Sequence, residues 1–478
     1  MIQQVLDRRL LQDILVSMES EVKTSLKSPR RRGLRKSPLE DFSESQMRQL
    51  AGDIRQAKTE ASERPERTVQ RRGSIGSSQK NQTISEQKAY IPHSPFLSNL
   101  QSAIEEYFRT ERPDVIEAQA PPGRRKQMPL QAGERISIWK NYASGRRLLR
   151  RFEQTDLRWI SAKLAEGMRY FRGKHPFVPR PARSAPIKLH RKARLIVVGD
   201  WGSGIPRAQE ISKLMRRELD DGIKERRSQH VIHLGDVYYA GWKYEYENRF
   251  LEYWPVEPEE KDTIGSFTLN GNHDMYSGGH SYYDVALTDP RFARWQGQSS
   301  LFVLSNSFWQ LFGIDTAHED AGLQGDQANW VNSSNASHPN RSKVKTILLS
   351  HHQYCSSYES PSDTLIKKIQ RVLINPAFNL RAWLWGHEHR CVTYKGVPAL
   401  PFASCIGHGG VPVYQTHSAK RTIPAPGDYE YLDVLHGGVG GLEPWAKFGF
   451  VVLDFDDDQI TARYIGEDGK PTHKETIT

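Results

Sequence analysis

Short apolar runs alternate with amphipathic stretches from Ala193 onward. Apolar runs rich in β-branched and aromatic residues predict strands near 194–199, 229–234, 263–269, 300–305, 308–314, 343–350, 380–385, 391–395, 398–404, 447–455 and 459–465. Helical periodicity predicts helices near 205–220, 243–252, 322–333 and 361–374. Strand–helix alternation that gives way to a run of strands predicts the α/β class, with two packed sheets and helices outside them.

The residues before this domain have a different pattern. Apolar residues recur with helical spacing in residues 1–26, which predicts an amphipathic helix. Residues 27–90 are basic and poor in apolar side chains, so we expect disorder there. Residues 91–186 combine aromatic-rich helical patterns with a proline-rich linker, and the α/β domain is expected to occupy 193–478.

Charge is distributed unevenly along the 478 residues. Residues 1–192 hold 39 Lys and Arg against 21 Asp and Glu, whereas the remainder holds 28 against 35. The N-terminal region therefore carries a net charge of +18 and the remainder −7, so the basic character of the chain lies in the N-terminal region, which could bind an anionic partner. Aromatic residues do not interleave the basic clusters of residues 27–90, which weakens a nucleic-acid interpretation, and a solvated charge run is the more common case.

Cysteine usage and hydropathy favour a soluble, cytoplasmic protein. Cys355, Cys391 and Cys405 are far apart and show no paired spacing, which is typical of a reducing compartment. No run approaches the roughly 18 apolar residues that span a bilayer. The N-terminal pattern also lacks the unbroken apolar segment of a signal peptide.

Five polar motifs each follow a predicted strand. They are Asp200-Trp201-Gly202, Gly235-Asp236-Val237-Tyr238-Tyr239, Gly271-Asn272-His273-Asp274, Ser350-His351-His352 and Gly386-His387-Glu388-His389. Asp200 and Asp236 are 36 residues apart, as are Asp236 and Asn272, and this is near the length of one strand–helix–strand unit. The motifs should therefore meet at one sheet edge, with oxygen and nitrogen donors that suit divalent or ferric metals. A single motif of this kind is more often a turn cap, but five in order are not.

In this order the motifs resemble those of the calcineurin-like metallophosphoesterase superfamily, and specifically its purple acid phosphatase branch. The resemblance covers about 194–477 and implies a four-layer α/β/β/α sandwich. Most of the superfamily has a metal-binding His at the position of Gly202, and the purple branch uses a Tyr three residues after the bridging Asp instead. Tyr239 has that spacing and Tyr238 does not.

The resemblance also implies a ligand set and a reaction. The first metal, expected to be Fe(III), would take Asp200, Asp236, Tyr239 and His389; the second, Fe, Zn or Mn(II), would take Asp236, Asn272, His351 and His387. The expected reaction is hydrolysis of a phosphoric ester, on a phosphorylated small molecule or other phosphoester, by a metal-bound hydroxide. His273 would contact the phosphate or the leaving group, and Asp274 would fix the tautomer of His273.

One departure from the branch leaves the function open. Purple phosphatases usually carry a further His shortly after the equivalent of His351, and residues 353–381 contain none. His352, His280 or His408 could replace it. The alternative is a weakly active or inactive scaffold whose basic N-terminal region binds an anionic partner. A serine/threonine protein phosphatase ranks lower, because the Asp236 motif lacks the Asp-Arg-Gly ending of those enzymes.

Overall fold

The computed structural model describes residues 8–27, 44–63, 67–71, 85–89, 169, 173–181, 184–373, 378–411, 428–432 and 447–478. These residues divide into two compact units. None of the helices among them is both long and apolar enough to span a bilayer. The aromatic-rich helical patterns expected within residues 91–186 lie almost entirely outside the described residues.

The first unit contains two helices, Arg8–Lys27 and Glu44–Glu63. Leu15, Met18, Val22, Ile54, Ala57 and Ala61 are fully buried. Lys58 pairs with Glu19 at 2.6 Å between the helices. The first helix agrees with the amphipathic pattern. The second helix lies within the segment for which composition predicts disorder. Its buried face includes small residues, which give a weak apolar signal in the sequence.

A two-stranded antiparallel sheet also falls in that segment. Strands β1 (Arg67–Arg71) and β2 (Ser85–Ala89) pair with Arg67 opposite Ala89.

The second unit contains one eight-stranded and one six-stranded sheet. Its strands are β3 (Ile187–Lys188), β4 (Lys192–Val198), β5 (Ser228–His233), β6 (Ile264–Thr268), β7 (Phe302–Ser305), β8 (Trp309–Gly313), β9 (Lys345–Ser350), β10 (Leu380–Trp385), β11 (Cys391–Lys395), β12 (Phe402–Ile406), β13 (Asp428–Leu432), β14 (Gly449–Asp456), β15 (Gln459–Gly466) and β16 (Pro471–Ile477). The larger sheet runs β13-β11-β12-β10-β9-β8-β7-β3 and the smaller runs β16-β15-β14-β4-β5-β6. This confirms the predicted mixed α/β fold.

The helices of this unit are short apart from one crossover. They span Pro206–Lys224, Lys243–Glu245 continued by a π turn Tyr246–Phe250, Asn272–Tyr276, Pro290–Ala293, Gln327–Ala336 and Asp363–Leu373. The helix Pro206–Lys224 joins the parallel strands β4 and β5, as a crossover connection must.

One apolar core is shared by strands of both sheets. It includes Leu195 and Val197 of β4, Ile347 of β9 and Leu453 of β14, all fully buried. Side chains alternate along a strand, so Ile196 points to the other face, where it is also fully buried. A second core packs β8–β12 against the helices Gln327–Ala336 and Asp363–Leu373. The central strands are therefore packed on both faces. This packing fixes the positions of the strand ends that carry the polar motifs.

Candidate metal centre

The five motifs follow the carboxyl ends of five strands. Asp200 follows β4, Asp236 follows β5, Asn272 follows β6, His351 follows β9, and His387 and His389 follow β10. The parallel pairings β4–β5–β6 and β9–β10 bring these ends to one edge of each sheet. The contacts described below show that the two edges meet.

Backbone strain is concentrated at these residues. Four of them have left-handed backbone conformations: Asp200 (φ 55°), Asp236 (φ 73°), His387 (φ 71°) and His389 (φ 51°). Each such non-glycine conformation costs roughly 1–2 kcal/mol. Strained residues persist where surrounding structure determines them and cluster at functional sites. The motif residues are therefore held in place at a cost in stability.

Neighbouring glycines let the backbone approach the buried carboxylates. A Cβ on Gly271 would lie 1.9 Å from Asp236 Oδ1, and one on Gly386 would lie 2.6 Å from Asp200 Oδ2. A side chain at either position would displace a carboxylate. The glycines of the Gly-Asn-His-Asp and Gly-His-Glu-His motifs are thus required by packing around the acidic residues.

The first donor cluster consists of Asp200, Asp236, Tyr238 and His389. The Tyr238 hydroxyl donates to Asp200 Oδ1 at 2.9 Å and to Asp236 Oδ2 at 3.1 Å, and it also contacts His389 Nε2. His389 Nε2 lies 3.4 Å from Asp200 Oδ1. Burial and the two carboxylates raise the pKa of Tyr238 well above its usual value. One carboxylate, one phenol and one imidazole thus surround an oxygen of Asp236.

The second donor cluster consists of Asn272, His351 and His387, again with Asp236. Asn272 Oδ1 is 2.9 Å from His351 Nε2 and 2.9 Å from His387 Nδ1. His351 Nε2 is also 3.4 Å from Asp236 Oδ2. Asp236 is therefore the residue that both clusters share.

The two acidic side chains fit a site for cations. Asp200 and Asp236 are fully buried, and among the described residues no Lys or Arg side chain contacts either of them. A buried carboxylate without a compensating cation is strongly destabilising. Donor atoms of Asp200, Asp236 and His389 lie within 4.8 Å of one another, as do those of His351, His352 and His387. The site therefore contains two candidate metal-binding groups.

The tautomer of His351 gives independent support. Its Nδ1 faces the carbonyl oxygen of Leu234 at 2.9 Å, and a carbonyl can only accept, so Nδ1 carries the hydrogen. In a neutral ring Nε2 then directs a lone pair at the oxygens of Asn272 and Asp236. Burial opposes protonation, but Asp236 outweighs it and raises the pKa of His351 to about 9. At neutral pH that proton lies on Nε2 and donates to these oxygens, so the position favours a positive charge, which a metal ion between Nε2 and the oxygens would supply instead.

The structure corrects the choice of tyrosine. Tyr238, not Tyr239, directs its hydroxyl into the first cluster. The ring of Tyr239 lies beside the Arg249 guanidinium, with 5.9 Å between Cζ and the ring centroid. Glu245 accepts from the backbone N–H groups of Tyr239, Ala240 and Trp242. This carboxylate sets the path of the loop after Asp236. The number of residues between Asp236 and a tyrosine does not reveal this effect.

The expected pairing of His273 with Asp274 is also wrong. Asp274 accepts from the backbone N–H groups of Asp236 (3.0 Å), Val237 (3.0 Å) and Gly271 (2.7 Å) and from the Tyr246 hydroxyl (2.7 Å). None of its bonds goes to His273. Burial, with the nearby charge of Asp236, raises the pKa of Asp274 to about 7. Asp274 thus joins the two motif loops and is a positioning residue.

His273 is oriented by a backbone carbonyl instead. Its Nδ1 pairs with the Tyr239 carbonyl oxygen at 2.8 Å, and its Nε2 lies 3.8 Å from Asp236 Oδ2. Burial lowers the pKa of His273. The side chain is nearly buried, and Nε2 is the nitrogen that faces the two clusters.

Of the three histidines considered as replacements for the missing one, His352 lies at the site. Its ring is 4.7 Å from the His387 ring, and its Nδ1 contacts Thr316 Oγ1 at 3.1 Å. His280 Nε2 pairs with the Gly173 carbonyl, and His408 is a buried side chain packed near Gly449. His352 therefore supplies a third imidazole at the second cluster, beside His351 and His387.

Sequence reasoning missed several residues that shape the site, namely Tyr238 as a donor, Glu245, Tyr246 and Glu359. Glu359 Oε1 lies 3.4 Å from His387 Nε2 at the exposed rim. Aside from Tyr238, none stands in a recognisable motif, so only the fold brings them to the site.

At the Gly202 position the backbone has φ 134°, and a Cβ would lie 3.1 Å from Val237 Cγ2. A side chain there would be strained and crowded.

The fold and the site together define an α/β sandwich with paired carboxylate and imidazole clusters at its strand ends. Residues 193–391 match the family model of the calcineurin-like phosphoesterases. That family suggests metal-dependent hydrolysis of phosphoesters, and the match supports a phosphoesterase. No curated protein matches the chain.

Several solved structures are similar to the chain at low identity. GAP50, the anchor in the inner membrane complex of Plasmodium, is 15% identical with a TM-score of 0.44, over 60% of this chain and 89% of that one. A predicted phosphoesterase from Streptococcus pneumoniae is 11% identical with a TM-score of 0.25, over 60% and 97%. Vps29 from Entamoeba histolytica is 13% identical with a TM-score of 0.24, over 59% and 97%.

Proposed function

We propose that residues 193–478 form a phosphoric ester hydrolase that works with two metal ions, of the purple acid phosphatase type. The observation that carries the proposal is the pair of fully buried carboxylates, Asp200 and Asp236, which no Lys or Arg of the described residues neutralises. Asp200, Tyr238, His389 and a shared Asp236 would hold one ion; Asn272, His351, His387 and Asp236 would hold the other. His352 is close enough to support the second.

The kind of metal follows from the donors. A phenol and two carboxylates are hard oxygen donors, which favour a trivalent ion such as Fe(III) at the first position. Neutral imidazoles and an amide oxygen suit Fe, Zn or Mn(II) at the second. When bound, such a pair supplies Lewis acidity, a nucleophile at neutral pH and stabilisation of the developing oxyanions.

The remaining chemistry belongs to side chains at the rim. His273 donates from Nδ1 to the Tyr239 carbonyl, so Nε2 can donate to a phosphoryl oxygen or to the leaving oxygen only when the ring is protonated; the neutral ring accepts a proton there. His387 and His389 are only about one-fifth exposed, so the ester enters from the side where these rings reach solvent. Glu359 stands at this entrance, and its charge disfavours a substrate with further negative groups close to the phosphate.

The three cysteines do not contribute a nucleophile. Cys355, Cys391 and Cys405 are free and buried, and burial raises the pKa of the Cys355 thiol to about 12. A thiolate mechanism of the tyrosine-phosphatase kind therefore has no reactive sulfur among the described residues.

The test is hydrolysis of an aryl phosphate monoester and an aryl phosphate diester by the purified protein. Activity should disappear when metals are stripped with a chelator and return when iron with zinc, or iron with manganese, is added back. Turnover that survives complete removal of metal would contradict the proposal, and so would a metal-loaded protein that hydrolyses neither ester.

A further inference from the structure

A concave surface lies at the amino-terminal ends of strands β4 and β5, away from the strand ends that carry the polar motifs. It has a volume of about 820 Å³ and lies around the start of β4 and β5. The acidic motifs follow the other ends of these strands, and seven residues of extended chain span roughly 20 Å. None of the candidate metal ligands is among the residues that line the concavity. It is therefore separate from the site of the proposed reaction.

The lining is strongly basic. Lys188, His190, Arg191, Lys192, Arg226 and Arg227 line it, and no Asp or Glu does. Carboxylates outside the lining neutralise two of these cations: Arg191 pairs with Asp457, and Arg227 pairs with Glu225 and Asp456.

Three cations of the lining have no acidic partner. In the part of the chain that the structure describes, no carboxylate lies within ion-pair distance of Lys188, Lys192 or Arg226. All three are exposed. Three uncompensated positive charges on one concave surface attract an anion with two or three negative charges.

Two further features point to a ligand with phosphate groups. Ser228 is among the residues that line the concavity, and its hydroxyl oxygen is shielded from solvent and has no hydrogen-bond partner in the part of the chain that the structure describes. Arg226 has a left-handed conformation with φ 59°, at a helix end where glycine is favoured. Hydroxyl and guanidinium groups are usual donors to phosphate oxygens. No Phe, Tyr or Trp is among the residues that line the concavity, so His190 is the one ring in the lining on which a nucleotide base could stack.

We propose that this concavity binds an anion that carries two or more phosphate groups. Lys188, Lys192 and Arg226 supply the charge, and the Ser228 hydroxyl supplies a neutral donor. The ligand is either a free polyphosphorylated molecule or the head group of a phosphorylated lipid. Binding here leaves the metal clusters untouched.

The test compares two variants of equal charge. In the first, Lys188→Gln, Lys192→Gln and Arg226→Gln remove the unpaired cations of the concavity. In the second, Arg341→Gln, Lys343→Gln and Lys470→Gln remove three exposed cations elsewhere on the same unit. Both are made in the full chain, so that the basic N-terminal region contributes equally to every measurement. Asp236→Asn is included to report any binding at the metal clusters.

Tripolyphosphate is titrated calorimetrically into each protein. We expect the concavity variant to bind at least about tenfold more weakly than wild type, while the control variant and Asp236→Asn stay within about twofold. Flotation with phosphatidylcholine vesicles, with and without a phosphatidylinositol bisphosphate, separates the two sources of the ligand. If only the concavity variant loses vesicle binding, the ligand is a lipid head group. If wild type binds tripolyphosphate but not the vesicles, the ligand is a free anion.

The proposal is overturned if both triple variants lose affinity equally, because general charge would then explain the binding. It is also overturned if the concavity variant binds as wild type does, or if wild type binds neither probe. Hydrolysis of the aryl esters by the concavity variant should be unchanged, which shows that a loss of anion binding does not come from damage to the site of the proposed reaction.

Discussion

Replacement of Tyr238 by Phe tests which phenol serves the first cluster. In the structure the Tyr238 hydroxyl donates to Asp200 at 2.9 Å and to Asp236 at 3.1 Å, and it contacts His389. The aromatic ring is fully buried and Phe preserves it, so the fold should be maintained. The matched control is Tyr239→Phe, since the ring of Tyr239 lies beside Arg249 instead.

The expected loss follows from the bonds removed. A hydrogen bond to a charged group contributes roughly 1.5–3 kcal/mol, which corresponds to about 10- to 100-fold in an affinity. Tyr238→Phe should weaken retention of the first metal by about that factor and lower turnover on an aryl phosphate at least as much. If that metal is Fe(III), the visible absorbance of a bound phenolate should disappear as well.

Metal content by plasma emission, the visible spectrum and aryl phosphate hydrolysis are measured on wild type and both variants. Tyr239→Phe should stay within about threefold of wild type in metal content and turnover, because the Tyr239 ring lies beside Arg249 and Tyr238 supplies the phenol of the first cluster. The reasoning is refuted if Tyr239→Phe loses metal and colour while Tyr238→Phe keeps both.

Three further substitutions separate chemistry from structure. His273→Ala should keep the metals but reduce turnover about 10²- to 10⁴-fold, and equal turnover would remove its role. Gly271→Ala places a Cβ 1.9 Å from Asp236 Oδ1, so metal content and stability should both fall, the latter by about 1–3 kcal/mol in urea unfolding. Arg194→Ala breaks a buried ion-pair network and should cost about 1.5–3 kcal/mol with metal content unchanged, against less than about 0.5 kcal/mol for Arg341→Ala.

The strands of the sandwich could be read from the sequence because most are buried on both faces. Runs such as β4 and β9 are then almost continuously apolar, which gives a strong local signal. The edge strand β16 was missed because its residues Pro471–Ile477 are largely polar and half exposed. The helix Glu44–Glu63 was missed because its buried face uses Ala57 and Ala61, which carry little hydropathy.

The candidate ligands could be predicted where the residue lies within three residues after a strand. Asp200, Asp236, His351 and His387 are placed by strand register, and the structure brings them together. Tyr238 and the partner of His273 could not be predicted, because both depend on how a loop turns. That turn is set by Glu245, and no local pattern identifies this residue as a loop anchor.

Metal stoichiometry is the most direct test of the central claim that Asp236 joins two clusters that hold cations. Wild-type protein, purified without chelator and loaded with iron and zinc, should contain about two metal ions per chain, and Asp236→Asn should contain fewer than about one. Wild-type protein that retains no metal under loading, or Asp236→Asn that retains both ions, would contradict the account.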